Sequence, residues 1–162
     1  MASGQAVKLF VYDLTKGLAS QLAPMIIGRP LDGIWHTSIV CYNQEFFFGG
    51  MGIESCPPCG TILGSPDKQV HLGSTEVPSE MFYEYLSQLG SDTFKPQKYE
   101  LFHHNCNNFS SEVAQFLTGK DIPSYITDLP GEILSTPMGQ MIKNMLENTQ
   151  VSPGAGQTTR HF

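Results

Sequence analysis

The residue most suited to chemistry in this sequence is Cys106. The run Tyr99-Glu100-Leu101-Phe102 reads as a strand, and the segment from Cys106 to Thr118 reads as a helix. Phe109, Val113, Phe116 and Leu117 form the apolar stripe of that helix, and Gly119 ends it. A cysteine at a helix start lies among free N–H groups and a partial positive charge. Both favour a thiolate over a thiol. The same N–H groups can hold the oxyanion that forms when a thiolate attacks a carbonyl. The competing reading is a buried structural cysteine, a common fate for this residue. The polar neighbours Asn105, Asn107 and Asn108 argue against deep burial.

A thiol nucleophile needs a general base, most often histidine. The candidates are His36, His71, His103, His104 and His161. His103 and His104 adjoin Cys106 in sequence, but a strand-to-helix turn can aim them elsewhere. His36 sits in the β-rich run Ile34 to Tyr42, and a strand is a rigid mount for a base. Taken alone, a strand histidine is equally at home as a structural residue, so the residues themselves leave the base open. Cys56-Pro57-Pro58-Cys59 is a single C-x-x-C in a proline-rich stretch. A zinc site needs about four ligands, and no second pair is present. The pair therefore reads as a loop with two free thiols, and no metal or cofactor is expected.

The elements that must carry these residues alternate between strand and helix signals. Val7 to Tyr12 is an opening strand, and Thr15 can cap a short helix through Leu22, before Pro24. In the strand Ile34 to Tyr42, alternation puts Ile34, His36, Ser38 and Val40 on one face and Trp35, Thr37, Ile39 and Cys41 on the other. Asn43-Gln44 suggests a hairpin turn, with Glu45 to Phe48 returning. Ile53 to Asp67 reads as a long surface loop, and Gln69 to Leu72 as a short strand. Pro78 to Leu89 is a helix, with proline in its first turn and Gly90 at its end. Pro130 to Leu134 suggests one helical turn. Thr136 can cap a last helix, along which Met138, Met141, Ile142, Met145 and Leu146 share one side. That side either packs on the domain or offers an apolar face to a partner, such as a nuclear export receptor. Residues 149–162 are poor in apolar side chains and read as a disordered tail. The whole is α+β, a central antiparallel sheet packed by helices, in one domain over residues 7–148.

Composition narrows the partners. The chain has 162 residues, 40% of them hydrophobic, enough for one substantial core. Its net charge of −6 disfavours nucleic acid, which needs clustered Lys and Arg. No stretch approaches the ~18 apolar residues of a membrane span. The polar opening Met1 to Val7 has no signal-peptide pattern, so reduced cysteines and an intracellular protein are expected.

Several blocks occur together in order: Val11-Tyr12-Asp13-Leu14, Gly33 to Val40, Glu45 to Gly49, His104 to Ser110, Ala114 to Gly119 and Ile122 to Ile126. This arrangement resembles the PPPDE peptidases across about residues 7 to 148. The resemblance implies a circularly permuted papain-like fold with histidine before cysteine in the chain. Its Cys–His dyad falls on Cys106 and His36. It also implies thiol-protease activity that removes SUMO from lysines, with breadth toward ubiquitin chains and S-acyl thioesters. A homodimer found in cytoplasm and nucleus belongs to the same expectation. A Gly-Gly substrate terminus calls for a narrow channel. Trp35 and the Phe46 to Gly50 hairpin are candidate walls, although the phenylalanines fit core packing as well. Asn105 and Asn107 are candidate substrate-binding residues, and Asp13 a candidate to orient His36. The His-strand and Asn-Cys-helix arrangement also resembles the lecithin:retinol acyltransferase-like enzymes, whose hydrophobic C-terminal anchor has no counterpart in this polar tail. A further alternative is a non-catalytic carrier of ubiquitinated proteins.

Overall fold

The computed structural model describes residues 4–26, 28, 30–146 and 160–162. Its centre is a six-stranded antiparallel sheet in the order β5-β1-β2-β3-β4-β6. The strands are β1 (Gln5–Asp13), β2 (Trp35–Cys41), β3 (Gln44–Gly49), β4 (Gly52–Cys56), β5 (Lys68–Thr75) and β6 (Arg160–His161). Helix α1 (Leu18–Ile26) follows β1. Helices α2 (Ser79–Gly90), α3 (Cys106–Thr118), α4 (Ser124–Thr127), α5 (Leu129–Leu134) and α6 (Pro137–Leu146) follow the first five strands.

The two faces of the sheet are built differently. One face buries Trp35, Ile39, Phe46, Phe48 and Ile53 against Phe82 and Leu86 of α2 and Phe109 and Val113 of α3. This is the main apolar core. The other face carries Phe10, Tyr12, His36, Ser38, Glu45 and Phe47, all buried. Segment 57–67 is tied to that face, with the Cys59 N–H donating to Glu45 Oε1 at 2.9 Å. The register Tyr12↔His36 and Phe10↔Ser38 fixes which side chains share it, and the alternation expected from sequence holds.

The hairpin between β2 and β3 turns one residue earlier than the sequence suggests. Tyr42 and Asn43 both have positive φ, 54° and 60°, as a two-residue primed turn requires. Helix α3 matches its expected bounds because both signals are local. Asn105 caps it by accepting from the Asn107 and Asn108 N–H groups, and Gly119 ends it at φ 74°.

Four sequence readings need correction. The expected strand Tyr99 to Phe102 is a turn closed by a single bridge, Glu100↔His104. Glu100 accepts from the Phe102 and His103 N–H groups, which coils the chain back. Residues 53–56, expected in a loop, form β4 by pairing with β3. Helix α1 runs through Pro24 to Ile26. The expected tail, residues 149–162, is not without structure at its end, because Arg160–His161 pair with β4 as an edge strand. Residues 149–159 of that reading lie outside the described residues. Among the described residues, no helix is long and apolar enough to cross a membrane.

Candidate active site

The site begins with a gap in the sheet. β2 pairs with β1 along Trp35 to Val40, but its pairing with β3 runs only from Ile39 to Cys41. The Trp35 and Thr37 peptide groups on the β3 side must find other partners, because a buried peptide group left unpaired is costly. The start of α3 supplies them. Asn107 Nδ2 donates to the Trp35 carbonyl at 3.0 Å. The Thr37 N–H is directed at the Cys106 sulfur. Thr37 Oγ1 donates to Asn107 Oδ1 at 2.7 Å and lies 2.9 Å from Ser110 Oγ. The helix start thus plugs the gap in the sheet and holds Cys106 against the edge of β2.

Around the sulfur, the N–H groups of Thr37, Asn107 and Cys106 itself converge. The sulfur lies 3.7 Å from Asn107 Oδ1. These donors favour the thiolate, but burial outweighs them and pushes the Cys106 thiol up to about 11. At neutral pH the resting group is a thiol. The expectation that its polar neighbours keep Cys106 exposed is wrong, since Asn105, Cys106 and Asn107 are each only 5–6% exposed. Their amides serve the fold first. Asn105 caps α3 and donates to the Leu101 carbonyl at 2.6 Å, while Asn107 clamps α3 to β2.

Trp35, Asn105, Cys106 and Asn107 line one pocket of about 410 Å³. Its remaining walls are mainly apolar, including Leu14, Leu18, Leu31, Phe102 and Ile133. Trp35 is thus one of the residues that line this pocket. Phe46, Phe47 and Phe48 are fully buried and fill the two cores, so the hairpin supplies no channel wall.

The histidines are dispersed. His36 is 0% exposed, its ring packed on Tyr12 at 5.7 Å and Phe47 at 6.4 Å between centroids. Among the described residues, neither ring nitrogen has a hydrogen-bond partner. It shares a strand with Thr37, whose N–H meets the Cys106 sulfur, but no hydrogen bond joins the imidazole to Cys106. Burial drives the His36 imidazolium down to about 3, so the ring is neutral at rest. His103 pairs with Glu100 at 2.7 Å on the surface. His104 stacks on Phe94 and meets the Thr93 carbonyl. His71 lies on β5 and His161 on β6.

Asp13 does not orient His36. Its carboxylate accepts from the Thr15, Gly17 and Ile34 N–H groups and from the Thr15 hydroxyl. It thereby closes the turn into α1. The carboxylate on the same face of the sheet as the histidine was missed in the sequence. Glu45 Oε2 accepts from Tyr12 Oη at 2.6 Å and from Ser38 Oγ, the residues that flank His36 on its face. Only the alternation rule could have hinted at it. Of the C-x-x-C pair, Cys56 is buried at the end of β4 and Cys59 is exposed in the turn that follows. Both thiols are free.

Comparison with known proteins decides the family. Residues 5–147 match the domain described as "PPPDE putative peptidase domain". The chain belongs to the PPPDE peptidase family. It is 60% identical over 152 residues to desumoylating isopeptidase 1 of Homo sapiens, covering 94% of this chain and 90% of that protein. Identity to the Xenopus laevis protein of the same name is 56% over 150 residues, 93% and 89% of the two chains. A Caenorhabditis elegans desumoylating isopeptidase 1 homolog is 35% identical over 106 residues, 60% of this chain and 31% of that one. The family's papain-like architecture agrees with the antiparallel sheet and the cysteine at a helix start. This PPPDE chain is accordingly a hydrolase of the peptidase class.

Proposed function

We propose that this PPPDE peptidase is a cysteine isopeptidase that removes SUMO, and with it ubiquitin as a further substrate, from lysine side chains. Cys106 is the nucleophile and His36 the base. The observation that carries this reading is the convergence of the Thr37, Asn107 and Cys106 N–H groups on one sulfur at the wall of a pocket. The names borne by relatives of near-equal length point to the same substrate class.

The resting state is neutral on both sides, so the dyad forms on engagement. The imidazole has to reach the sulfur. Over Trp35 to Ser38 the move crosses no β2–β3 hydrogen bonds, and the start of α3 that fills this gap has to give way to it. Catalytic contacts commonly tighten only once substrate is bound. His36 then takes the thiol proton, and the thiolate attacks the carbonyl of the modifier's terminal glycine. The Cys106 N–H and the helix start stabilise the oxyanion. The imidazolium protonates the departing lysine amine, and water hydrolyses the thioester to regenerate the thiol.

A second reading is favoured by the character of the pocket. Walls of leucine, isoleucine and aromatic side chains suit an acyl chain better than a peptide backbone, which needs hydrogen-bonding partners. S-acyl thioester hydrolysis uses the same thiol, and its thiolate leaving group departs more easily than an amine. A carrier role through α6 rests on the exposure of Met138 and Met141 alone. Ile142, Met145 and Leu146 lie in α6, but their side chains fall outside the described residues.

SUMO and ubiquitin probes bearing a C-terminal electrophile discriminate these readings, with intact mass as the readout. Wild type is expected to gain one SUMO mass, while Cys106→Ala gains none and keeps its melting temperature. If neither probe reacts and a small S-acyl thioester is still hydrolysed through Cys106, the isopeptidase reading is lost to the thioesterase.

A further inference from the structure

The far edge of the sheet is closed in an unusual way. β4 would be an exposed edge, a liability that folded proteins cover or blunt. Here Arg160 and His161 pair antiparallel with Ser55 and Glu54, and the Phe162 N–H donates to the Ile53 carbonyl at 3.0 Å. A segment this short has no strand stability of its own. Its seat must come from side chains, and three are fitted to it. The Phe162 ring lies against Tyr83 at 5.8 Å and Phe46 at 6.2 Å between centroids. The Arg160 guanidinium lies 4.8 Å over the Tyr83 ring and 5.0 Å over Phe162. His161 Nδ1 is 3.5 Å from Glu54 Oε2, a carboxylate on the accepting strand. The backbone of Phe162 crosses α2 at Gly90. A Cβ there would stand 2.5 Å from the Phe162 oxygen, so the groove exists because residue 90 has no side chain.

We propose that the β4 edge, with the Tyr83 ring and the Gly90 notch, is a docking site for extended peptides of the pattern basic–X–aromatic. Arg160–Phe162 is its resident occupant in cis. Recognition has three parts that a peptide of another sequence would not satisfy together. Main-chain pairing to β4 accepts any extended segment. The Tyr83 face selects a cation at the first position through cation–π attraction. The slot against Phe46 selects an aromatic ring at the third. The acidic group at Glu54 and the net charge of −6 favour a basic segment. Residues 147–159 tether the occupant to α6, so it holds the site by proximity and a free peptide must compete with it.

Hydrogen exchange on the full chain tests the site. The Phe162 amide is expected to exchange at least tenfold more slowly than in a free peptide of residues 156–162, at a rate independent of protein concentration. Gly90→Ala should abolish that protection while cooperative unfolding and the helical signal are retained, because alanine suits a helical position better than glycine. A labelled peptide of residues 156–162 should bind full-length Phe162→Ala saturably, and bind the Gly90→Ala/Phe162→Ala double variant at least tenfold more weakly. Free-peptide exchange at Phe162, or protection that survives Gly90→Ala, overturns the site. Protection that grows with concentration overturns occupancy in cis. Failure of the peptide to bind Phe162→Ala overturns its use in trans.

Discussion

The two sides of β2 hold Cys106 and His36, the nucleophile and base of the proposed mechanism, by opposite means. On one side Cys106 is fixed by hydrogen bonds. Asn107 reaches Trp35 and Thr37, Asn105 caps the helix, and backbone N–H groups point at the sulfur. On the other side His36 is fixed by packing alone, between Tyr12 and Phe47, with neither ring nitrogen bonded among the described residues. The first group is held by directional hydrogen bonds, and the second by close packing without them. Turning the His36 ring breaks no hydrogen bond, whereas moving Cys106 breaks several. The difference suits a site in which the nucleophile is set in advance and the base arrives.

The most severe break in this contrast is His36→Gln. If His36 is the base, turnover of a SUMO-conjugated substrate should fall by about 10²–10⁴-fold. The same variant tests the burial of the ring. His36 holds a folded-state value of about 3 against the model-peptide value of 6.5, so below pH 6.5 the unfolded chain binds a proton that the native chain does not. Stability should be fully present above pH 6.5 and fall as pH drops toward 3, by up to about 1.4 kcal/mol per pH unit from this residue. Denaturant melts at pH 7, 5.5 and 4 should show that slope reduced by this share in His36→Gln. Full activity in the variant would move the base to another group, and an unchanged slope would place His36 in contact with water.

Asn107→Ala acts on the opposite side. It leaves the Trp35 carbonyl and the Thr37 hydroxyl short of a partner at a buried junction. A stability loss of about 1–3 kcal/mol is expected by denaturant titration. Loss of activity should exceed what unfolding explains, since Cys106 then floats on the edge of β2. If stability falls while specific activity of the folded fraction holds, the clamp is structural and does not aim the sulfur. The smallest effect belongs to Asn105→Ala, which removes the helix cap and should cost about 1 kcal/mol. Asn105→Asp keeps the cap acceptor but loses the amide that donates to the Leu101 carbonyl, so it should restore only part of that loss, by the same titration.

These contrasts also mark what could be read from residues. The bounds of α3 were legible because a cap and a terminating glycine act within one turn of the residues they control. The faces of β2 were legible for a similar reason, since strand alternation is local geometry. The strand expected at Tyr99 to Phe102 failed because Glu100 turns the chain with two backbone hydrogen bonds, which outweigh β propensity. β4 was hidden among prolines and glycines, and it exists because β3 offers it an edge. Asp13 looked like an orienting carboxylate by type, but its turn had already claimed it. Glu45 was invisible as a partner of the His36 face, because its acceptors are spent on Tyr12 and Ser38, which are remote or on another strand.

The sequence by itself determined that a cysteine would open a helix, that a histidine would alternate with Trp35 and Thr37 along a strand, and which family these blocks belong to. Periodicity, caps and ordered motifs carry that information within short stretches of chain. The tertiary structure alone decided that Cys106 would be buried, that its helix would fill the opening between β2 and β3, and that Arg160–Phe162 would complete the sheet at Gly90. Each of those depends on unpaired backbone groups meeting partners from distant segments, and a local pattern does not say which segments will meet.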